Sequence, residues 1–180
     1  MVYALVRANC IGVHRRVVVL HVRVAVRYDR VLIRPTIMLN LDAYLARLGY
    51  TGPREPTLAV LAELQRRHVC TIPFENLDVL LGQPIRLDLA SIEQKLIHRR
   101  RGGYCFEQNT LFQAALTSLG YTVETLVARV RWQVPADVET AQTHMILLVE
   151  LGGRRYLVDG GFGSGSLTAP LLIDTAEEQL

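Results

Sequence analysis

The hydrophobic period of this chain changes once, and Gly120 marks the change. Upstream of it, Phe106, Leu111, Phe112, Ala115, Leu116 and Leu119 recur at helical spacing. Downstream, Thr122–Trp132, His144–Leu151 and Arg154–Asp159 read as strands, with Gly152-Gly153 as the hairpin turn between the last two and a further strand over Leu167–Ile173. A helical half followed by an antiparallel half predicts an α+β fold, a helical bundle packed on an antiparallel β-sheet or barrel. The organisation we expect is an atypical extension over 1–37, a helical domain over 38–120 and a β domain over 121–180.

The helical half can be read element by element. Leu41, Tyr44, Leu45 and Leu48 form a stripe ended by Gly49. Thr57 is placed to cap a second helix carrying Leu58, Leu61, Leu64 and His68. His68 has no partner ligand one turn on, so we read it as part of that helix and not as a metal ligand, and Cys70 as structural. Pro73 biases Thr71-Ile72 away from helix, which predicts an extended run over Ile72–Asp78. Asp88 or Ser91 can cap a helix through Ile92, Leu96 and Ile97 that ends in the basic residues His98–Arg101.

Charge and cysteine usage narrow the function classes. Residues 1–37 hold seven Arg and one Asp, a net +6; the whole chain is +3, so 38–180 carries −3. The body therefore has no basic stripe of the kind nucleic acid requires. The Val/Arg texture of 1–37, with alternation from Val22 to Val26, reads as a strand with one polar face, and we expect Met38 to be the natural start. Cys10, Cys70 and Cys105 are odd in number and include no CxxC pair, which argues against a disulfide framework or zinc site and for a reducing, cytoplasmic setting. No stretch of about 18 apolar residues suggests a membrane span.

Against that background Cys105 is the residue with chemistry to offer. Gly102-Gly103 precede it and the helical period starts after it, so it falls at a helix N-terminus, where unpaired N–H groups and the helix dipole favour a thiolate. A nucleophilic cysteine needs a base and a group that orients the base. His144 begins one strand of the predicted hairpin and Asp159 ends the other. With the turn at 152–153, facing residues sum to about 305, which brings His144 and Asp159 to one end of the sheet. Each residue alone also has a plain structural reading: a small core cysteine, a strand-edge histidine and a turn aspartate.

Four blocks taken together carry a resemblance. Pro73-Phe74-Glu75-Asn76-Leu77, Arg101–Asn109, Thr143-His144-Met145 and Val158–Gly163 resemble the arylamine N-acetyltransferase family, in the family's Cys, His, Asp order. The likeness covers 38–180; Gly160, where that family usually has valine, departs from it. It implies a papain-like triad of Cys105, His144 and Asp159, no metal, and acetyl transfer from acetyl-CoA through an acetyl-cysteine to an arylamine, arylhydrazine or arylhydroxylamine, as in xenobiotic metabolism. It further implies that Phe74, Phe106, Val130 and Phe162 line an acceptor slot. Gly160, Gly161 and Gly163 would approach CoA, and Arg101 would brace the site through a bidentate pair with Glu75. Members of that family continue past the point where this chain stops, into a region that helps bind CoA. Two other readings stay open: another Cys-His-Asp enzyme of the transglutaminase or peptidase kind, and a non-catalytic fragment.

Overall fold

The computed structural model describes residues 2–7, 17–22, 39–130, 134–135, 137–163, 165–173 and 175. β1 (Val2–Arg7) and β2 (Val17–Val22) pair antiparallel, Val2 opposite Val22. The alternation expected beyond Val22, and Cys10, lie outside the described residues.

The helical half follows from its caps. α1 (Leu41–Arg47) starts where Asn40 Oδ1 accepts the Ala43 N–H at 3.0 Å, and Gly49 closes it at φ +62°. α2 (Leu58–Thr71) is capped by Thr57, and its buried stripe runs through Leu61, Leu64 and His68. The extended run expected over Ile72–Asp78 ends before Asn76 (φ −130°, ψ 33°), because Leu77–Leu80 forms the short helix α3. The restraint from Pro73 acts on the residue before it, and Glu75 Oε2 then accepts the Leu77 N–H at 2.7 Å, which starts the turn.

α4 (Leu89–Glu93), capped by Asp88 at 2.9 Å from Ser91 N, runs into a π-helical turn over Gln94–His98. That wide turn leaves the Leu96 carbonyl to accept from the buried Arg47 Nε at 3.1 Å. α5 (Cys105–Ser118) ends at Gly120, φ +89°.

β3 (Thr122–Arg129), β4 (Gln142–Leu151), β5 (Arg154–Val158) and β6 (Leu171–Leu172) form one antiparallel sheet in the order β3-β4-β5-β6. Leu147 faces Val158 and Leu148 faces Leu157, the register set by the Gly152-Gly153 turn, where both glycines have positive φ. The strand expected over Leu167–Ile173 shortens to Leu171–Leu172.

Both sheet faces are covered, which is why β4 is continuously apolar. Met145, Leu147 and Val149 join Leu61, Leu64, Phe112 and Leu116 in the larger core, shared by helices and sheet. Ile146 and Leu148 pack with Leu126, Ala128, Leu157, Leu167 and Leu171 on the other side. Gln65 ties the layers together by donating from Nε2 to the carbonyls of Leu167 (3.0 Å) and Ala169 (3.3 Å).

Candidate active site

Three elements meet where β4 begins, β5 ends and α5 starts. Register shifts between Ala128 and Arg129, so that Ala128 faces His144 while Arg129 faces Gln142, a bulge at Thr143 directly beside His144. Gly161 lets the chain leaving β5 come so near α5 that an added Cβ would lie 2.9 Å from the Cys105 Cα.

Cys105, His144 and Asp159 are brought together there, and all three are buried. His144 Nε2 lies 2.6 Å from Asp159 Oδ2, which leaves Nδ1 for Cys105, whose side chain acts on the same ring. The Cys105 Sγ is also 3.7 Å from the Thr143 carbonyl. Burial works against a charged imidazole, but hydrogen bonds and charge from Asp159 and Cys105 outweigh it and lift the His144 pKa to about 9. At neutral pH the ring is therefore protonated, with the Asp159 carboxylate as its acceptor.

The carboxylate is itself held. Asp159 Oδ1 accepts from Asn109 Nδ2 at 3.0 Å and from the Gly161 N–H at 2.8 Å. Asn109 also donates to the Met145 carbonyl at 2.8 Å and accepts the Gly160 N–H at 2.8 Å. It stands one helical turn after Cys105, so a single face of α5 presents the thiol and fixes the aspartate. The sequence reading gave Asn109 no role; its i+4 spacing from the cysteine was the available signal.

Around this centre the aromatic candidates divide. Phe162 sets its edge against the His144 ring, centroids 5.1 Å apart and planes at 89°. Phe74 is 47% exposed and lies over Gly163, where a Cβ would come within 3.3 Å of its ring. Phe106, half-buried, leans on Tyr104 at 5.5 Å and on the helical core. Val130 is half-buried just past the end of β3.

The brace between Arg101 and Glu75 forms, but not as a two-on-two fork. Arg101 Nε and Nη2 both donate to Glu75 Oε1, at 3.2 and 2.9 Å, because Oε2 is held by the Leu77 N–H. Nη1 reaches Asp78 at 2.6 Å. Lys95 then links Asp78 (2.7 Å) to Glu107 (2.8 Å), whose other oxygen accepts the Tyr104 N–H at 3.1 Å, next to the nucleophile. Burial disfavours charge on Lys95, yet the two carboxylates prevail and raise its pKa. Neither Lys95 nor Asp78 was marked in the sequence, since their meeting depends on α3 and the π-helical turn.

Among the described residues no cluster of three or more His, Cys, Asp or Glu is arranged to hold a metal, and no helix is long and apolar enough to cross a membrane.

Comparison with known proteins matches an N-acetyltransferase family model over residues 57–180. The arylamine N-acetyltransferase of Escherichia coli is 47% identical over 131 residues, 73% of this chain and 46% of that protein. Among solved structures, the arylamine N-acetyltransferase from Salmonella typhimurium matches with a TM-score of 0.75 and 43% identity, covering 80% of this chain and 53% of that one. The Mycobacterium marinum arylamine N-acetyltransferase in complex with CoA matches with a TM-score of 0.74 and 46% identity, covering 78% and 53%. The chain thus spans about half the length of the curated relatives it matches.

Proposed function

This chain belongs to the arylamine N-acetyltransferase family, and on that footing we propose that it moves an acetyl group from acetyl-CoA to an aromatic amine by way of Cys105. The observation that carries the reading is the single His144 ring held between Asp159 at 2.6 Å and the Cys105 side chain at a helix N-terminus.

In the first half-reaction the Cys105 thiolate attacks the thioester carbonyl and a carbon–sulfur bond forms. The oxyanion is stabilised by backbone N–H groups at the start of α5. As the bond to the CoA sulfur breaks, the His144 imidazolium gives its proton to the departing thiolate. In the second half-reaction the amine nitrogen attacks the acetyl-cysteine, the now neutral His144 takes the amine proton, and the Cys105 thiolate returns. Asp159 holds the ring and stabilises its cation throughout; Asn109 and the Gly161 N–H hold Asp159.

Phe74, which packs over Gly163, and Phe162, which packs against His144, offer the flat acceptor aromatic walls, with Phe106 and Val130 completing the slot. The amides of Gly160 and Gly161 are already bonded to Asn109 and Asp159. Within that loop we therefore assign packing to these two glycines and the approach to CoA to the half-buried Gly163. A thiol nucleophile works only while reduced, which supports a cytoplasmic location.

The test is intact-mass analysis after incubation with acetyl-CoA or p-nitrophenyl acetate, with and without an arylamine. A single acetyl adduct that the amine discharges, and that Cys105→Ala lacks, is the expected result. Peptide cleavage with no acetyl adduct would move the chain to the peptidase reading.

A further inference from the structure

Behind the nucleophile lies a second buried polar chain that the acyl-transfer steps do not use. His68, on α2, is fully buried; its Nδ1 is 2.9 Å from the Tyr44 hydroxyl and its Nε2 is 2.8 Å from Gln108 Oε1. The ring stacks on Phe112, centroids 4.9 Å apart, and a Cβ on Gly160 would lie 2.9 Å from it. Gln108, also fully buried, points its Nε2 at the carbonyls of Pro73 (2.9 Å), Ile72 (3.3 Å) and Gly103 (3.3 Å).

The chemistry of the far end fixes every proton along this chain. Three backbone carbonyls can only accept, so the Gln108 amide must face them with its N–H groups. Its Oε1 must then accept, so His68 must carry its proton on Nε2. His68 Nδ1 is left as an acceptor, so the Tyr44 hydroxyl must donate. A histidine protonated on both nitrogens would reverse that last bond, with the Tyr44 oxygen accepting; burial holds the His68 pKa at about 4, so the ring is neutral at working pH and Tyr44 donates.

What the chain grips is the seam between two functional segments. Glu75 N–H donates to the Gly103 carbonyl at 3.1 Å and Gly103 N–H to the Pro73 carbonyl at 3.2 Å, a short parallel bridge between Phe74 and the turn that delivers Cys105. A Cβ at Gly102 would collide with the Pro73 carbonyl, so the two strands touch with no room to spare. The triad is tied together separately, through Asn109.

We propose that His68 is a positioning residue for the acceptor step: as the Nε2–H tautomer it locks the Gln108 amide, which holds the Phe74 wall at a fixed distance from Cys105. The inference rests on the acyl-transfer reading above. His68→Phe keeps a ring on Phe112 and removes the donor; His68→Gln places an amide N–H where Nε2 was.

In the full chain, His68→Phe is expected to leave Cys105 acylation by p-nitrophenyl acetate within about threefold of the unsubstituted protein. Arylamine discharge of the acetyl-cysteine should fall about tenfold, through the amine KM, the size set by one lost buried hydrogen bond. His68→Gln should recover most of the loss. Hydrogen exchange read by NMR should quicken at the Glu75 and Gly103 amides and not in β4, and the His68 nitrogen shifts should report a proton on Nε2.

Unchanged discharge, an equal fall in both half-reactions, or a failure of His68→Gln to rescue would overturn the proposal. So would a proton on Nδ1. If His68→Phe does not fold, Gln108→Leu replaces it: the amide that His68 Nε2 holds against the Pro73 and Gly103 carbonyls is then gone, and unaltered exchange at Glu75 and Gly103 overturns the inference. A protein that takes no acetyl group at Cys105 refutes the transferase reading alone, because the tautomer and the exchange pattern are read without turnover.

Discussion

At the scale of single residues, the site depends on one proton kept on His144. Its folded pKa of about 9 lies above the ordinary value of 6.5, so the folded protein holds that proton more tightly than the unfolded chain. The stabilisation, on the order of 3 kcal/mol, is fully present below pH 6.5 and is lost as pH rises through 9. Denaturant unfolding at pH 6 and pH 9.5 should therefore show a loss that His144→Gln does not share. Direct NMR titration should find the imidazole changing state near pH 9; a midpoint near 6.5 would remove the imidazolium from the mechanism. Asn109→Leu tests the support behind it. That change strips partners from the buried Met145 carbonyl and Gly160 N–H and one of two from Asp159 Oδ1, and should cost about 2–4 kcal/mol in thermal or denaturant unfolding. It should also slow Cys105 acylation more than tenfold. The sequence offered Cys105, His144 and Asp159 as candidates from their places at element ends, and the resemblance to the family joined them as a triad. It gave Asn109 and His68 no part in the site, because their partners lie 50 and 40 residues away and meet them only by packing.

For whole elements, the close contact between α5 and the chain leaving β5 decides where the thiol sits. A Cβ on Gly161 would press on the Cys105 Cα and to within 3.0 Å of the Gln108 Cβ, atoms that cannot rotate away. Gly161→Ala should accordingly destabilise the fold by about 1–3 kcal/mol, seen as a lower melting temperature. It should also lower Cys105 acylation by more than the unfolded fraction explains. Gly152→Ala is the control: its positive φ carries a cost, but open space surrounds it and acylation by the folded protein should be normal. Helix caps, the Gly49 and Gly120 stops and the hairpin register were legible, since each is set by residues within a few positions. The bulge beside His144 and the π-helical turn before Arg101 were not. They depend on neighbours distant in sequence: the β3 partner in one case, and Arg47 claiming a carbonyl in the other.

In the molecule as a whole, the larger core draws Phe112 and Leu116 from the helices and Leu147 and Val149 from the sheet into one body. Residues 39–173 should therefore open as one cooperative unit. Hydrogen exchange should give Phe112 and Leu147 the same opening free energy; early loss of protection across β3–β6 would show two independent units. The amino-acid sequence by itself determined the order of helices and strands and the turn that aligns the hairpin, and so put the candidate imidazole and carboxylate at one end of the sheet. These follow from spacing and from local backbone preference. Only the tertiary structure decided which histidine meets the sulfur, how Asp159 is held, and which carboxylates Arg101 and Lys95 join. Those are pairings of side chains far apart along the chain, and nothing sets their geometry until the core that carries them has closed.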